Sequence, residues 1–268
     1  MIRFAPLITS AHNTWIKSLQ RLHRSAERRS QKKFLIEGTH LIEEAIATRW
    51  PLAAICFDSQ WAESNQSLLE SVQADPLRKD VILQPVSKEV LARLGSTDSA
   101  CMVVGVAVSK PIDHSPLARQ SLAIAVESLQ DPGNLGSLIR IAAAANLSSI
   151  ILSPDSVDPT NPKVLRATAG QWFRTPPIVT DLPAQLESQR SMQVQILAAA
   201  AEGESYWNCD LTKPTMLVLG NEGAGLSPQV RSIASGLVSI PMCKEVESLN
   251  VAVCGALLIF EAQRQRRT

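Results

Sequence analysis

Met216-Leu-Val-Leu-Gly-Asn-Glu-Gly-Ala-Gly-Leu-Ser-Pro228 runs from a short apolar segment through three glycines to a serine-proline pair. The apolar segment suits a buried strand, and the glycines let the backbone approach a ligand closely or take positive φ. Ser227-Pro228 then offers a helix cap followed by proline at the first helical position. Strand, loop and helix in that order form the repeating unit of a parallel sheet, and the flanking sequence repeats it. Strand-like runs recur at Leu122 to Val126, Ser149 to Leu152, Gln195 to Ala198 and Leu237 to Ile240. Helices are expected to start near Gly136, Pro162, Pro183 and Ser227, with a last one from Ser248 to about Gln263. Such alternation predicts an α/β domain with a parallel sheet covered on both faces and a ligand site at the carboxyl ends of its strands.

Two further loops follow an expected strand and open an expected helix. In Glu127-Ser-Leu-Gln-Asp-Pro-Gly-Asn-Leu-Gly-Ser-Leu-Ile-Arg140, the run Asp131 to Asn134 is turn chemistry, and a helix from Gly136 would place Arg140 about one turn inside it. A guanidinium aimed at the loops suits a phosphate or a developing oxyanion. Ile240-Pro-Met-Cys-Lys-Glu-Val-Glu-Ser-Leu-Asn-Val251 leads into the last helix, with Ser248 as its expected N-cap and Asn250 in the first turn beside it. Taken singly, the three loops also have plain structural readings: a turn with a surface arginine, a tight connection, a cap. The glycine loop lacks the spacing and the lysine of a phosphate-binding P-loop.

The N-terminal part reads as a smaller α/β domain. Trp15, Ile16, Leu19 and Leu22 sit at helical spacing, predicting one amphipathic helix from Asn13 to Arg29. A strand at Phe34 to Ile36, a helix at His40 to Thr48 and apolar runs at Ala53 to Phe57, Val81 to Leu83 and Met102 to Val108 follow, with helical segments near Ser67 to Gln73 and Lys88 to Leu94. Domains are therefore expected at 1–110 and 121–268, joined by a proline-containing linker at 111–120. Net charge is only +1, so a nucleic-acid partner has to be argued from charge distribution. Lys17, Arg21, Arg24, Arg28, Arg29, Lys32 and Lys33 face a single acid, Glu27, in that stretch. These seven are the candidate contacts to nucleic-acid phosphates, whose plain alternative is a solvated helix face. Five cysteines without a C-x-x-C pair and four scattered histidines suggest neither disulfides nor a metal site. The longest apolar stretch, Val251 to Phe260, is too short to cross a membrane, and no signal-peptide core opens the chain, so a cytoplasmic protein is expected.

Together and in this order, the three loops resemble the signature motifs of the SpoU/TrmH family of RNA 2′-O-ribose methyltransferases, within the SPOUT superfamily. N-x-G-x-x-x-R is met by Asn134, Gly136 and Arg140; G-N-E-G-x-G-L by Gly220 to Leu226; and I-P-M followed by S-L-N-V by Ile240 to Val251. Arg166-Ala-Thr-Ala-Gly170 is similar to the family's intermediate segment. Phe34-Leu-Ile-Glu-Gly-Thr-His-Leu-Ile-Glu-Glu-Ala45 is similar to its appended RNA-binding domain, which is built like a small ribosomal protein. The resemblance spans nearly the whole chain.

What it implies is specific: a deep trefoil knot in the C-terminal domain, bent S-adenosylmethionine as cofactor, a homodimer, and methylation of a ribose 2′-hydroxyl in structured RNA, ribosomal ahead of transfer RNA. The implied catalytic set is Asn134, Arg140, Glu222, Ser248 and Asn250. The implied cofactor-binding set is Leu219, Gly220, Asn221, Gly223, Gly225, Ile240, Met242, Ser248 and Leu249. A sulfonium methyl donor needs no metal, so the protein must supply alignment and alkoxide stabilisation. Because a guanidinium stays protonated, Arg140 is expected to hold phosphate and stabilise the alkoxide, not to act as a base.

Three departures bear on cofactor affinity: Met242-Cys243-Lys244 where the family has M-x-G, Ala252 where serine is common, and Thr168 for a common serine. The alternative is a non-catalytic RNA-binding protein that keeps the fold, against which the complete catalytic set argues. A dehydrogenase lacks its G-x-G-x-x-G after the first strand of either half. An enzyme methylating a base would need different catalytic residues.

Overall fold

The computed structural model describes residues 4–96, 101–112, 122–147, 149–243 and 245–267. They fall into two compact units, Met1–Pro111 with Thr160–Phe173, and Ile112–Pro159 with Arg174–Thr268. Most of the expected linker at 111–120, and Lys244, lie outside the described residues.

The first unit opens with α1 (Thr14–Gln20), α2 (Ser25–Gln31), β1 (Lys33–Glu37), α3 (Thr39–Ala47) and β2 (Leu52–Phe57). It continues through α4 (Ser59–Ser64), α5 (Gln66–Ala74), β3 (Ile82–Pro85), α6 (Lys88–Leu94) and β4 (Val103–Val108). Its sheet has the order β1-β4-β2-β3, with β4 antiparallel to β1 and β2, and β2 parallel to β3. The single helix expected over Asn13 to Arg29 is broken in two. A 3-10 turn spans Arg21–His23, and Arg24 is extended at φ −91°, ψ 130°. The break frees backbone carbonyls, and Arg28 takes them up: its Nη1 donates to Leu22 O at 3.0 Å and His23 O at 2.9 Å. Leu22 thereby turns inward and joins Ile16, Leu19, Leu35, Leu91 and Val106 in the core of this unit.

The chain goes on through β5 (Leu122–Val126), α7 (Pro132–Ala144), β6 (Ile150–Leu152), α8 (Pro162–Ala167), β7 (Ile178–Val179) and α9 (Leu182–Ser191). It ends with β8 (Gln195–Ser205), β9 (Thr215–Leu219), α10 (Pro228–Ile233), β10 (Gly236–Ser239) and α11 (Val251–Arg266). All of these except α8 belong to the second unit. Its sheet has the order β10-β8-β9-β5-β6-β7, and every neighbouring pair is parallel. The central strands β5 and β9 are buried at every position, as unbroken apolar runs in a sheet covered on both faces should be. Among the described residues no helix is long and apolar enough to cross a membrane.

Two helix starts differ from expectation. α7 begins at Pro132, not Gly136, because the Asp131 side chain caps it by accepting from Asn134 N at 2.7 Å and Pro132 suits the first helical position. Arg140 therefore lies more than two turns into the helix, about 12 Å from its start. α11 begins at Val251 with Asn250, not Ser248, as its cap: Asn250 Oδ1 accepts from Ala252 N and Val253 N.

α11 crosses α7 and the sheet at Gly255. A Cβ there would lie 2.6 Å from Leu138 Cδ2, 3.3 Å from Leu219 Cδ1 and 3.4 Å from Ile124 Cδ1. Gly255→Val should therefore destabilise the protein by about 1–3 kcal/mol, since the overpacked site is walled by buried core. Thermal unfolding checks this, and an unchanged midpoint would contradict the close crossing.

Candidate active site

The register between β10 and β8 jumps: Leu237 pairs with Ala198, but Val238 pairs with Glu204, so residues 199–203 leave the ladder. Beside this irregular stretch of β8, at the carboxyl end of β10, lies a cavity of about 160 Å³. Its walls are Ala199, Ala200, Ala201, Val238, Ser239, Ile240, Met242, Glu247, Ser248, Leu249, Cys254 and Leu258. Small side chains on one wall leave room, and Ile240, Leu249 and Leu258 give apolar surface suited to a flat heterocycle. Burial pushes the Cys254 thiol up, so it stays neutral and behaves as a wall atom.

Of the residues expected to hold the cofactor, Ile240, Met242, Ser248 and Leu249 line this cavity. Leu219, Gly220, Asn221, Gly223 and Gly225 are not among its walls. Leu219 is 1% exposed, packed under α11. The glycine loop is closed on itself: Asn221 and Gly225 exchange backbone hydrogen bonds of 2.9 and 3.0 Å. Asn221 Oδ1 also accepts from Gly223 N and Ala224 N at 2.9 Å each. Gly225 takes φ +69°, and a Cβ on Gly220 would meet the Gly225 carbonyl carbon at 2.4 Å. Both glycines are thus required by the loop's own closure. Sequence reasoning missed the alanine wall, Val238, Ser239, Glu247, Cys254 and Leu258. The run of alanines from 198 to 201, a strand without bulk, was the available signal.

Three of the expected catalytic residues form one polar chain. Asn250 spends its Oδ1 on the α11 cap, so its Nδ2 points outward and donates to Asn134 Oδ1 at 2.7 Å. That leaves Asn134 Nδ2 to donate to Glu222 Oε1 at 3.0 Å. The ends of three segments, α7, the glycine loop and α11, are locked together by this directional chain, which terminates on a carboxylate. Ser248 lies apart from it, exposed on the cavity wall.

Arg140 is not brought into the chain. It stands six residues after Asn134, about 9 Å further along α7 and roughly 120° around it. It is exposed, and among the described residues it has no hydrogen-bond or ion-pair partner. It shares its face of α7 with exposed Gly133 and Ala144. On α11, which packs against α7, Val253, Leu257 and Phe260 are 47%, 36% and 46% exposed. Their spacing places all three on one side of the helix.

In the first unit, Lys17, Gln20, Arg21 and Arg24 line a shared surface concavity. Lys17, Arg21, Arg24, Arg29 and Lys32 are exposed, and Lys33 is half-buried. Arg28 is a correction. It is 5% exposed, and its guanidinium serves the Leu22 and His23 carbonyls and Thr160 Oγ1 (Nε donor, 3.0 Å), so it holds the fold together and is not open to phosphate.

The family model described as SpoU rRNA Methylase matches residues 121–260, and one described as MRM3-like substrate binding domain matches residues 13–105. The chain belongs to the SpoU rRNA methylase family. It is 38% identical to an uncharacterized tRNA/rRNA methyltransferase of Synechocystis sp., over 97% of this chain and 94% of that one. It is 30% identical to the 23S rRNA (guanosine(2553)-2′-O)-methyltransferase RlmP of Bacillus subtilis, over 94% of this chain and 97% of that one. The solved structure of an AdoMet-bound rRNA methyltransferase from Sinorhizobium meliloti superposes with a TM-score of 0.84 at 27% identity, covering 97% of each chain.

Proposed function

We propose that this enzyme methylates one ribose 2′-hydroxyl of 23S ribosomal RNA, in the cytoplasm, as a homodimer in which Arg140 of one subunit serves the cofactor cavity of the other. The observation that carries the reading is Arg140 itself, exposed and, among the described residues, unpaired, on the helix that packs against α11 with its exposed Val253, Leu257 and Phe260. A second copy docked on these three side chains would cover them. The deep trefoil knot belongs to the same reading.

The cavity residues fit S-adenosylmethionine. Ile240, Leu249 and Leu258 would flank the adenine, and the backbone of residues 199–201, out of the ladder, is available to its polar edge. When bound, the cofactor supplies an electrophilic methyl group. The chain's residues supply alignment. Asn250, Asn134 and Glu222, fixed relative to one another, would orient the ribose hydroxyls, and Arg140 would hold the adjoining phosphate and stabilise the alkoxide. Lys17, Arg21, Arg24, Arg29 and Lys32 would contact RNA phosphates in the first unit, making affinity fall with salt.

Mapping ribose methylation in cells with and without the gene tests the substrate. The deletion should lose one 2′-O-methyl group from 23S rRNA, restored by the wild-type gene and not by Asn134→Ala. A 23S map identical in both strains would sink the reading.

A further inference from the structure

Ser128, at the end of β5, takes φ +53° without being glycine. A residue with a side chain adopts that conformation at a cost of about 1 kcal/mol and only when its surroundings hold it there. The hold comes from the loop after β6. Ser128 N donates to Ser153 Oγ at 2.7 Å, Leu129 N donates to Ser156 Oγ at 3.2 Å, and the two serine hydroxyls are 3.1 Å apart. Both remaining hydroxyl protons converge on one carboxylate. Ser153 Oγ donates to Asp155 Oδ1 at 2.6 Å, and Ser128 Oγ donates to Asp155 Oδ2. Gln130 Nε2 closes the cage on Ser128 O at 2.9 Å and Asp155 O at 3.0 Å.

The carbonyl of the caged residue is used next. Ser128 O accepts from Asn221 Nδ2 at 2.7 Å, so the conformation of Ser128 sets where the Asn221 side chain lies. Asn221 Oδ1 in turn holds Gly223 N and Ala224 N, and Glu222 stands between these fixed points. Glu222 then receives Asn134, and Asn134 receives Asn250. Hydrogen bonds therefore lead from Asp155 through Ser128 to Asn221, and the backbone that Asn221 pins at Gly223 and Ala224 carries Glu222 into the polar chain.

We infer that Asp155 is a positioning residue for methyl transfer: by fixing Ser128 in its left-handed conformation it sets the glycine loop, and through Asn221 the place of Glu222. The inference rests on the reading of Asn134, Glu222 and Asn250 given above. Asp155 does not wall the cofactor cavity, so its loss should change alignment and not cofactor binding. Its carboxyl pKa is lowered by the two serine hydroxyls, so it is ionised at neutral pH and accepts from both. An amide would have a single acceptor oxygen for two donors.

The test uses the full-length enzyme. Asp155→Asn should lower kcat about tenfold with the Kd for S-adenosylmethionine and the melting temperature unchanged, the signature of lost alignment. Ser128→Ala should give a loss of similar size, and the double variant should be no worse than either single one, because both break the same link. Wild-type turnover in Asp155→Asn would overturn the inference. So would strictly multiplicative losses in the double variant, or a fall in kcat that tracks a fall in cofactor affinity and melting temperature. Asn134→Ala separates the two levels. If it is inactive while Asp155→Asn is unimpaired, only this inference fails; if it turns over normally, the site reading fails with it.

Discussion

Arg140→Ala is expected to lower methyl transfer by about 10²–10³-fold while cofactor affinity stays within twofold, because one preorganised donor aimed at a developing oxyanion is worth that much. Cofactor binding should be spared because Arg140 is absent from the cavity wall and on a different face of α7 from Asn134. Arg140→Lys should recover little, since an ammonium lacks the planar fork that holds a phosphate and an alkoxide together. Near-full turnover of the lysine variant would instead favour a group that can give up its proton. A mixing experiment addresses where Arg140 acts. Ser248→Tyr, which fills the cavity, supplies an intact arginine, and Arg140→Ala supplies an intact cavity. If the site is shared between subunits, each homodimer is inactive, yet each mixed dimer regains one working site in two, so a random equal mixture, about half of it mixed dimers, recovers roughly a quarter of wild-type activity. No recovery in dimers shown by mass to be mixed would place Arg140 and its cavity in one subunit and defeat the shared site.

Why the polar chain was legible and the cavity was not follows from what each depends on. β5 and β9 are unbroken apolar runs because both faces are covered, so their ends, and the residues just after them, could be placed from sequence. Glu222 sits in the loop directly after β9, while Asn134 lies in the first turn of α7 and Asn250 caps α11, each beside a helix start that its sequence marks with a capping residue. The cavity depends on register, since residues 199–203 step out of the ladder, and nothing in a single strand's sequence states which partner residue it will skip. Cap choice is similarly local but degenerate: Ser248 and Asn250 are both good caps, and Asn250 prevails where its amide also reaches Asn134. Arg28 was read as one of seven surface cations because charge alone was visible; a helix break that needed its guanidinium inside was not.

The segment Thr160–Phe173 shows the same dependence on tertiary partners, and it carries the second large expectation. Its sequence follows β6, yet it packs in the first unit. Trp172 is 3% exposed, with ring centroids 5.1 Å from Phe34, 5.0 Å from Trp50 and 5.3 Å from Phe173. Around that cluster Arg166 pairs with Glu37 at 3.5 Å, and His40 Nε2 meets Ala169 O at 3.0 Å. Gly170 takes φ +84°, where a Cβ would strike Glu44 Cγ at 2.6 Å. Trp172→Ala removes the largest side chain of this contact and leaves Phe34 and Trp50 facing a hole, so it should destabilise the first unit by about 3–5 kcal/mol. Trp207→Ala provides the control. Trp207 is 64% exposed, and its loss should shift stability by less than about 0.5 kcal/mol. Urea unfolding followed by circular dichroism compares the two, with the midpoint of the earliest transition as the readout because a chain of two units need not unfold in one step. A shift in Trp172→Ala no larger than in Trp207→Ala would mean that the segment rests on the first unit without completing its core.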